Sequence, residues 1–300
     1  MRRAVIYILI FFLFIFITDN IIGVISYNSL PKIRYGFLGK VNSGLTDYSN
    51  LFILGSSRAM HHYNSRLIQQ NLGLSVYNAG IGGYGLFLNY AMLSTRIEEN
   101  KIPDIVILDI APNVIDDLKS YEKLNSLLPF YKNYPSFKRI IKLNPSFTKL
   151  SLLFNTVVFN STLYDFVKNL SFLENFERGY MPLKSTLDSL SFVGFHLENN
   201  KIDKNKLEIY VKLIDLCNKN NIRLFVVVSP CYEKFDVKNI IIDKFRGIAE
   251  KNDIVFYDFS SDTTFAEKAY LFKDQLHLNS KGANIFSEII SKKIKNDLTR

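Results

Sequence analysis

Apolar positions run unbroken from Ala4 to Ile17, pause at Thr18, Asp19 and Asn20, and resume as far as Ile25. At ~1.5 Å per helical residue the first run spans ~21 Å, short of a ~30 Å hydrocarbon core, whereas the stretch continued to Ile25 reaches ~33 Å. Asp19 is the objection to a membrane span: a carboxylate at mid-membrane costs roughly 3 kcal/mol, although this one lies toward the far end, within reach of water or headgroups. No small-x-small cleavage site follows the apolar region in "FITDNIIG", so residues 1–27 read as an uncleaved anchor and residues 28–48 as a connector. Beyond residue 49, short apolar runs alternate with stretches of helical period. "NLFILG" leads into a helix from about Ala59, "LSVYNAG" into one from about Leu86, and "DIVILDI" follows at Asp104 to Ile110. The alternation resumes with a helix near Lys204 to Asn218, a strand Ile222 to Ser229, a helix near Val237 to Glu250, the strand "IVFYDF" and a final helix from about Lys281. Five strands alternating with helices predict an α/β fold, a parallel sheet covered on both faces, over residues 49–300.

Between about Val114 and Ile202 the alternation stops, and helix-like patterns with Pro and Asn turns predict a helical insertion that caps the sheet's active end. From Lys123 to Tyr164 this insertion holds no acidic residue, while Lys132, Lys138, Arg139 and Lys142 interleave with Phe130, Tyr131, Tyr134 and Phe137. Such a surface suits a polysaccharide, a membrane or a docking partner, or it is a solvated face over a small core. The whole chain carries a formal net charge of +9, which fits an anionic polymer, an anionic membrane or simply a Lys-rich composition; no nucleic-acid motif is present. Cys217 and Cys231 stand at opposite ends of the strand "IRLFVVVS", roughly 25 Å apart, and are not expected to pair. Arg2 and Arg3 before the anchor are matched by Lys32, Arg34 and Lys40 after it, so charge alone does not orient the chain.

The chemistry centres on two turns. In "LFILGSSRAMHHY" an apolar strand stops at a glycine, two serines and an arginine before a helical pattern begins; turns of this kind lie at the carboxyl ends of a parallel sheet, where ligands bind. In "DQLHLNSKGANIF" Asp274 stands three residues before His277, ahead of the last helix. Acyl transfer needs a base for the nucleophile's proton and a carboxylate that fixes the imidazole tautomer. Asp274, His277 and a serine after the first strand would supply that set, since the loops after the first and last strands open at the same end. "NAGIGGYG" offers a backbone donor at Gly83, and "LDIAPNV" a side-chain amide at Asn113, both suited to an oxyanion. His61 and His62 have no carboxylate or cysteine at metal-ligand spacing, and "GIGGYG" lacks the spacing of a dinucleotide loop, so neither a metal nor a cofactor is expected. Arg58 reads as pairing with an acidic helix residue or as holding an anionic substrate, and His196 as structural or cap-lining.

Four stretches in order, "GSSR", "NAGIGG", "APNV" and "DQLH", resemble the blocks of the SGNH (GDSL-type) hydrolase superfamily. Pattern alone does not rank Ser56 against Ser57; the resemblance does, and implies Ser57 as nucleophile, Asp274 and His277 as the rest of a triad, and Gly83 and Asn113 as oxyanion donors. It implies a three-layer α/β/α sandwich with a flavodoxin-like sheet. The chain departs from the family at Ser56, where Asp is usual, at Arg58, where Leu is usual, and in "APNV", which lacks the leading Gly and trailing Asp of its block. Gly-Ser-Ser blocks on an N-terminal anchor are similar to those of the DltD-like branch and its envelope-modifying relatives. That branch implies a serine esterase or O-acyltransferase of envelope saccharides, a single pass through the bacterial cytoplasmic membrane, and a catalytic domain facing the periplasm or exterior. Its partners would be an acylated saccharide or envelope polymer, the membrane itself and a membrane-bound acyl-donor protein. Two other classes stay open on the residues: a non-catalytic membrane-tethered scaffold or polymer-binding protein that keeps the fold, and a flavodoxin-like phosphate binder, which would leave Asp274 and His277 without a role.

Overall fold

The computed structural model describes residues 2–111, 119–169, 178–187, 203–232 and 240–299. The chain falls into two compact units, Met1–Asn42 with Tyr121–Glu174, and Ser43–Ser120 with Asn175–Arg300.

The second unit is built on five parallel strands, β1 (Leu51–Leu54), β2 (Val76–Asn78), β3 (Ile105–Asp109), β4 (Arg223–Val228) and β5 (Val255–Asp258), in the order β2-β1-β3-β4-β5. Parallel strands covered on both faces read as continuous apolar runs, and every residue of β1 and β3 is buried. Leu51 and Ile53 point to one face, in a core with Ile107, Val227, Phe286 and Ile290. Phe52 points to the other, with its ring 4.2 Å from the Arg96 guanidinium. The helix Ser280–Leu298 covers the first face, and the helices Leu86–Glu98 and Lys204–Lys219 lie together on the second. The unit is therefore a three-layer α/β/α sandwich. Its strand order reverses between β1 and β3, so the connections after those two strands diverge and open a crevice at the carboxyl edge of the sheet.

Local chemistry sets the helix limits. Asp203 accepts a hydrogen bond from the Lys206 N–H at 3.1 Å and starts Lys204–Lys219; Asn279 accepts from Lys281 and Gly282, both at 3.1 Å, and starts Ser280–Leu298. Side-chain oxygens at such positions satisfy donors that the first helical turn leaves unpaired. The helix expected from about Ala59 is instead two helices, Ser57–His62 and Ser65–Leu72. Tyr63 between them is extended (φ −110°, ψ 101°) and sends its hydroxyl to Asp109 Oδ2 at 2.7 Å, while Asn64 caps the second helix by accepting from Leu67 N–H at 3.3 Å. Within the expected insertion, the described residues 178–187 hold no helix. They lie along the sheet unit, where Asn78 N–H donates to Arg178 O at 2.9 Å and Leu187 N–H to Phe272 O at 2.7 Å. Asn113 and His196 lie outside the described residues. Cys217 and Cys231 are both buried free thiols.

The first unit contains the 28-residue helix Arg2–Ser29, long and apolar enough to cross a membrane, and short helical pieces including Pro135–Ile141, Asn155–Phe159 and Leu163–Asn169. Its core gathers Phe130, Phe137, Val158 and Phe159, and the Tyr27 ring meets that of Phe159 edge-on at 4.9 Å.

Candidate active site

Gly55 ends β1 at φ +152°, and a Cβ there would lie 2.6 Å from Ala59 Cβ and 3.0 Å from both Asp109 Cβ and Asp109 O. Only glycine satisfies both the dihedral and the close approach. The turn it permits puts Ser57 at the first position of its helix, half-buried at the carboxyl edge of the sheet.

His277 comes to it from the loop before the last helix, 220 residues away in sequence, with Nε2 at 2.7 Å from Ser57 Oγ. On the opposite side of the ring, Nδ1 lies 2.9 Å from Asp274 Oδ1 and 3.0 Å from Oδ2. A carboxylate only accepts, so Nδ1 carries the proton and Nε2 is free to accept from the serine hydroxyl. Asp274 also shapes its own loop: Oδ1 accepts from the Leu276 and His277 N–H groups, each at 2.9 Å. Partial burial pushes the Asp274 carboxyl up, but the His277 hydrogen bond and charge and the two backbone donors outweigh it and hold the group below its ordinary value. Ser57, His277 and Asp274, the three residues singled out from sequence as a triad, are thus in one hydrogen-bonded line.

The glycine turn after β2 also reaches this place. A Cβ on Gly82 would be 3.7 Å from Ser57 Cβ, and Gly83, the expected oxyanion donor, follows it at φ +78°. Asn78 ties the two turns together, its amide donating to Ala59 O at 2.7 Å and Tyr63 O at 3.0 Å, its oxygen accepting from Gly80 N–H at 2.9 Å.

Beneath the serine turn lies a buried polar network that sequence reading missed or assigned differently. Arg58, 2 % exposed, donates from Nε to Ser229 Oγ at 3.1 Å and from Nη1 to Cys231 Sγ at 3.0 Å, and Nη2 bonds the Ser229 carbonyl. Its charge partner is Asp109, Nε to Oδ1 3.8 Å. The acid is therefore on a strand, not on a helix as expected, and Arg58 is turned away from any ligand. Burial raises the Asp109 carboxyl above its ordinary value against the opposing pull of Arg58, Tyr63 and Ser229. His62 accepts the Leu278 N–H at Nε2 (3.0 Å) and bonds Ser229 Oγ through Nδ1 (2.9 Å). Complete burial, then the charge of Arg58, pushes its imidazole well below the ordinary value, so it is a neutral strut under the residue that follows His277. His61 Nδ1 bonds Met181 O at 2.7 Å. The signal for this network was one acidic residue closing the otherwise apolar β3.

No protein-family model matches the chain, and no curated protein does. Among solved structures it is similar to a Bacteroides fragilis protein provisionally assigned as an acylhydrolase, at 13 % identity and TM-score 0.42, covering 83 % of this chain and 87 % of that one. It is also similar to an acetyl xylan esterase, at 12 % identity and TM-score 0.41, covering 82 % of this chain and 98 % of that one. Likeness at these levels carries no chemistry across, and what the site can do follows from its own geometry.

Proposed function

We propose that this chain is a membrane-anchored serine esterase or O-acyltransferase of SGNH type, acting through an acyl-enzyme on Ser57. The observation that carries the reading is the relay Ser57 Oγ to His277 Nε2 at 2.7 Å and His277 Nδ1 to Asp274 at 2.9 Å. As the serine oxygen adds to an ester carbonyl carbon, its proton passes to Nε2, and the carboxylate of Asp274 stabilises the imidazolium without taking the proton. The carbonyl oxygen becomes an oxyanion, for which Gly83 N–H and the Asn113 amide are the proposed donors; one such donor is worth roughly a hundred- to a thousandfold in rate. Collapse expels the alcohol, which takes the proton back from His277. Water or a second hydroxyl, deprotonated by the same imidazole, then attacks the acyl-enzyme. Water makes the protein an esterase and a sugar hydroxyl makes it a transferase.

The proposed substrate is an acyl group, acetyl or another, on an envelope saccharide, with a membrane-bound protein as acyl donor in the transfer case. Residues 1–27 would anchor the chain in a bacterial cytoplasmic membrane, residues 28–48 connect, and residues 49–300 form the catalytic domain on the periplasmic or outer side. The test is covalent labelling of the purified chain with a fluorophosphonate, followed by peptide mapping and an ester assay with small acetyl donors. Label on Ser57, lost together with turnover in Ser57→Ala and kept in Ser56→Ala, is the expected result. Label on Ser56 moves the nucleophile by one residue, and a folded chain without label or turnover is a scaffold.

A further inference from the structure

We infer that the segment 149–169 is embedded beside the anchor helix in the membrane leaflet that holds the helix's C-terminal end, its occupant being lipid. The starting point is Asp19, the residue that spoils the apolar run of Arg2–Ser29. It is 4 % exposed because it caps the helix Asn155–Phe159: its Oδ2 accepts from Asn155 N–H at 2.8 Å and Nδ2 at 3.1 Å, its Oδ1 from Thr156 N–H at 2.9 Å and Oγ1 at 2.8 Å. One turn on, Gly23 admits the Asn155 side-chain amide against the anchor's backbone, where a Cβ would collide with it. Asp19, Gly23 and Ser26 are the buried residues of the anchor and form one stripe, while Ile21, Val24 and Ile25 stay more than half exposed, at 55 %, 62 % and 60 %.

This contact fixes a depth. The uninterrupted apolar run ends at Ile17 and is ~21 Å long, too short for ~30 Å of hydrocarbon, so the core must extend toward Ile25. Asp19 then lies ~9 Å inside the apolar limit at ~1.5 Å per residue, and the helix it caps lies at the same level. A carboxylate at that depth has to be paired, and it is. The capped segment shows the composition that depth demands. Val158 and Phe159 face the unit's own core, yet Leu150 (69 %), Leu153 (64 %), Phe154 (45 %), Val157 (48 %) and Val167 (64 %) are exposed. A short helix apolar on both sides is covered by something besides its own core. Charge names the cover. The sole acid between Lys123 and Asn169 is Asp165; it is buried, with Oδ2 accepting from Leu38 N–H at 2.9 Å. Lys132, Lys138, Arg139, Lys142 and Lys149 are exposed, so anionic headgroups meet cations and no anion.

The inference rests on reading Arg2–Ser29 as a membrane anchor, and the experiment separates the two. The chain contains no tryptophan, so one introduced by Phe154→Trp, Val157→Trp or Ile10→Trp is the only reporter of its kind. The full chain of each variant is reconstituted in phosphatidylethanolamine and phosphatidylglycerol vesicles brominated either near the top of the acyl chains or near their ends. Emission from Phe154→Trp and Val157→Trp should fall with the shallow bromines and resist aqueous iodide, and that from Ile10→Trp should fall with the deep ones. Quenching of the first two by iodide alone, with Ile10→Trp still quenched by lipid, leaves the anchor inserted and overturns the embedding. Shielding from both quenchers means a protein covers the patch and also overturns it. An Ile10→Trp untouched by lipid removes the anchor and the inference with it.

Discussion

Replacing Asp274 by asparagine tests the proposed relay with little change of shape. The asparagine keeps an oxygen where Asp274 Oδ1 accepts from Leu276 and His277 N–H, each at 2.9 Å, so the loop is retained. Its other atom becomes an NH₂ that faces His277 Nδ1 at 3.0 Å as a second donor, and the one acceptor left to an Nδ1 proton is Oδ1, 2.9 Å away and already accepting two backbone N–H groups. The clash favours the tautomer with the proton on Nε2, which accepts the new NH₂ at Nδ1 and opposes the Ser57 hydroxyl as a donor. In a buried triad this change costs ~10⁴ in kcat. The Asp274 side chain is 51 % exposed, so water can restore part of the Nδ1–H partner and of the imidazolium stabilisation. The expected loss is accordingly ~10²–10³ in kcat, or ~3–4 kcal/mol of barrier, with KM for a small activated ester little changed and the circular dichroism spectrum that of wild type. Nitrogen-15 NMR of the imidazole should place the proton on Nδ1 in the wild-type chain and on Nε2 in the variant. A wild-type kcat in Asp274→Asn, or an Nδ1 proton in both chains, would refute the assigned role.

Acid should remove the stabilisation that Asp274 supplies: its folded carboxyl titrates below the ordinary 3.8, so the contribution is complete above that pH and disappears as pH falls through the folded value. Thermal melts of wild type and Asp274→Asn should therefore draw together as pH falls below 3.8 and through the lower folded value, and a gap that does not narrow over that range contradicts the assignment. Arg58→Met should destabilise the fold by about 3–5 kcal/mol in urea titrations by leaving Asp109 buried without its cation, and Asp109→Leu added to it should restore part of the loss; additive losses would show that the pair is not coupled. A phosphatase fused after Arg300 should be active in bacteria, and activity confined to a cytoplasmic reporter would place the domain on the other side.

The sheet was legible because a strand covered on both faces has little freedom in composition, and "LFIL" and "LFVVV" mark β1 and β4 by their apolar runs alone. The Asp274–His277 pair was legible for a local reason, since a carboxylate three residues ahead of an imidazole can cap the turn that presents it. A serine of the first turn required topology as well, since it meets His277 only because β1 and β5 are parallel and their connections open on one edge, and the choice of Ser57 over Ser56 came from the resemblance of the blocks alone. The break at Tyr63 was not legible as a helix end, because what pulls that residue out of the helix is a carboxylate on β3, 46 residues away. Asp19 was read as a polar interruption near a membrane boundary, and its partners, Asn155 and Thr156, lie 136 and 137 residues on, where no periodicity connects them.

The arginine after the serine bears on whether the site is kept for chemistry. A buried guanidinium needs several acceptors, and an isolated one would cost several kcal/mol. Here Asp109 at the end of β3 and Ser229 with Cys231 after β4 supply them, while Asn78 at the end of β2 binds the carbonyls of Ala59 and Tyr63. Residues at the ends of β2, β3 and β4 thus grip the short helix that starts with Ser57, and His62 on the same helix supports the backbone immediately after His277. The same contacts hold a serine and a histidine, 220 residues apart, to one geometry, as the proposed catalysis requires. Loss of Arg58, Asp109 or Ser229 alone would leave a buried group short of its partner, so the three depend on one another. The network beneath Ser57 therefore supports reading its turn as fixed in place, and the proposed relay from Ser57 through His277 to Asp274 is what that fixing would serve.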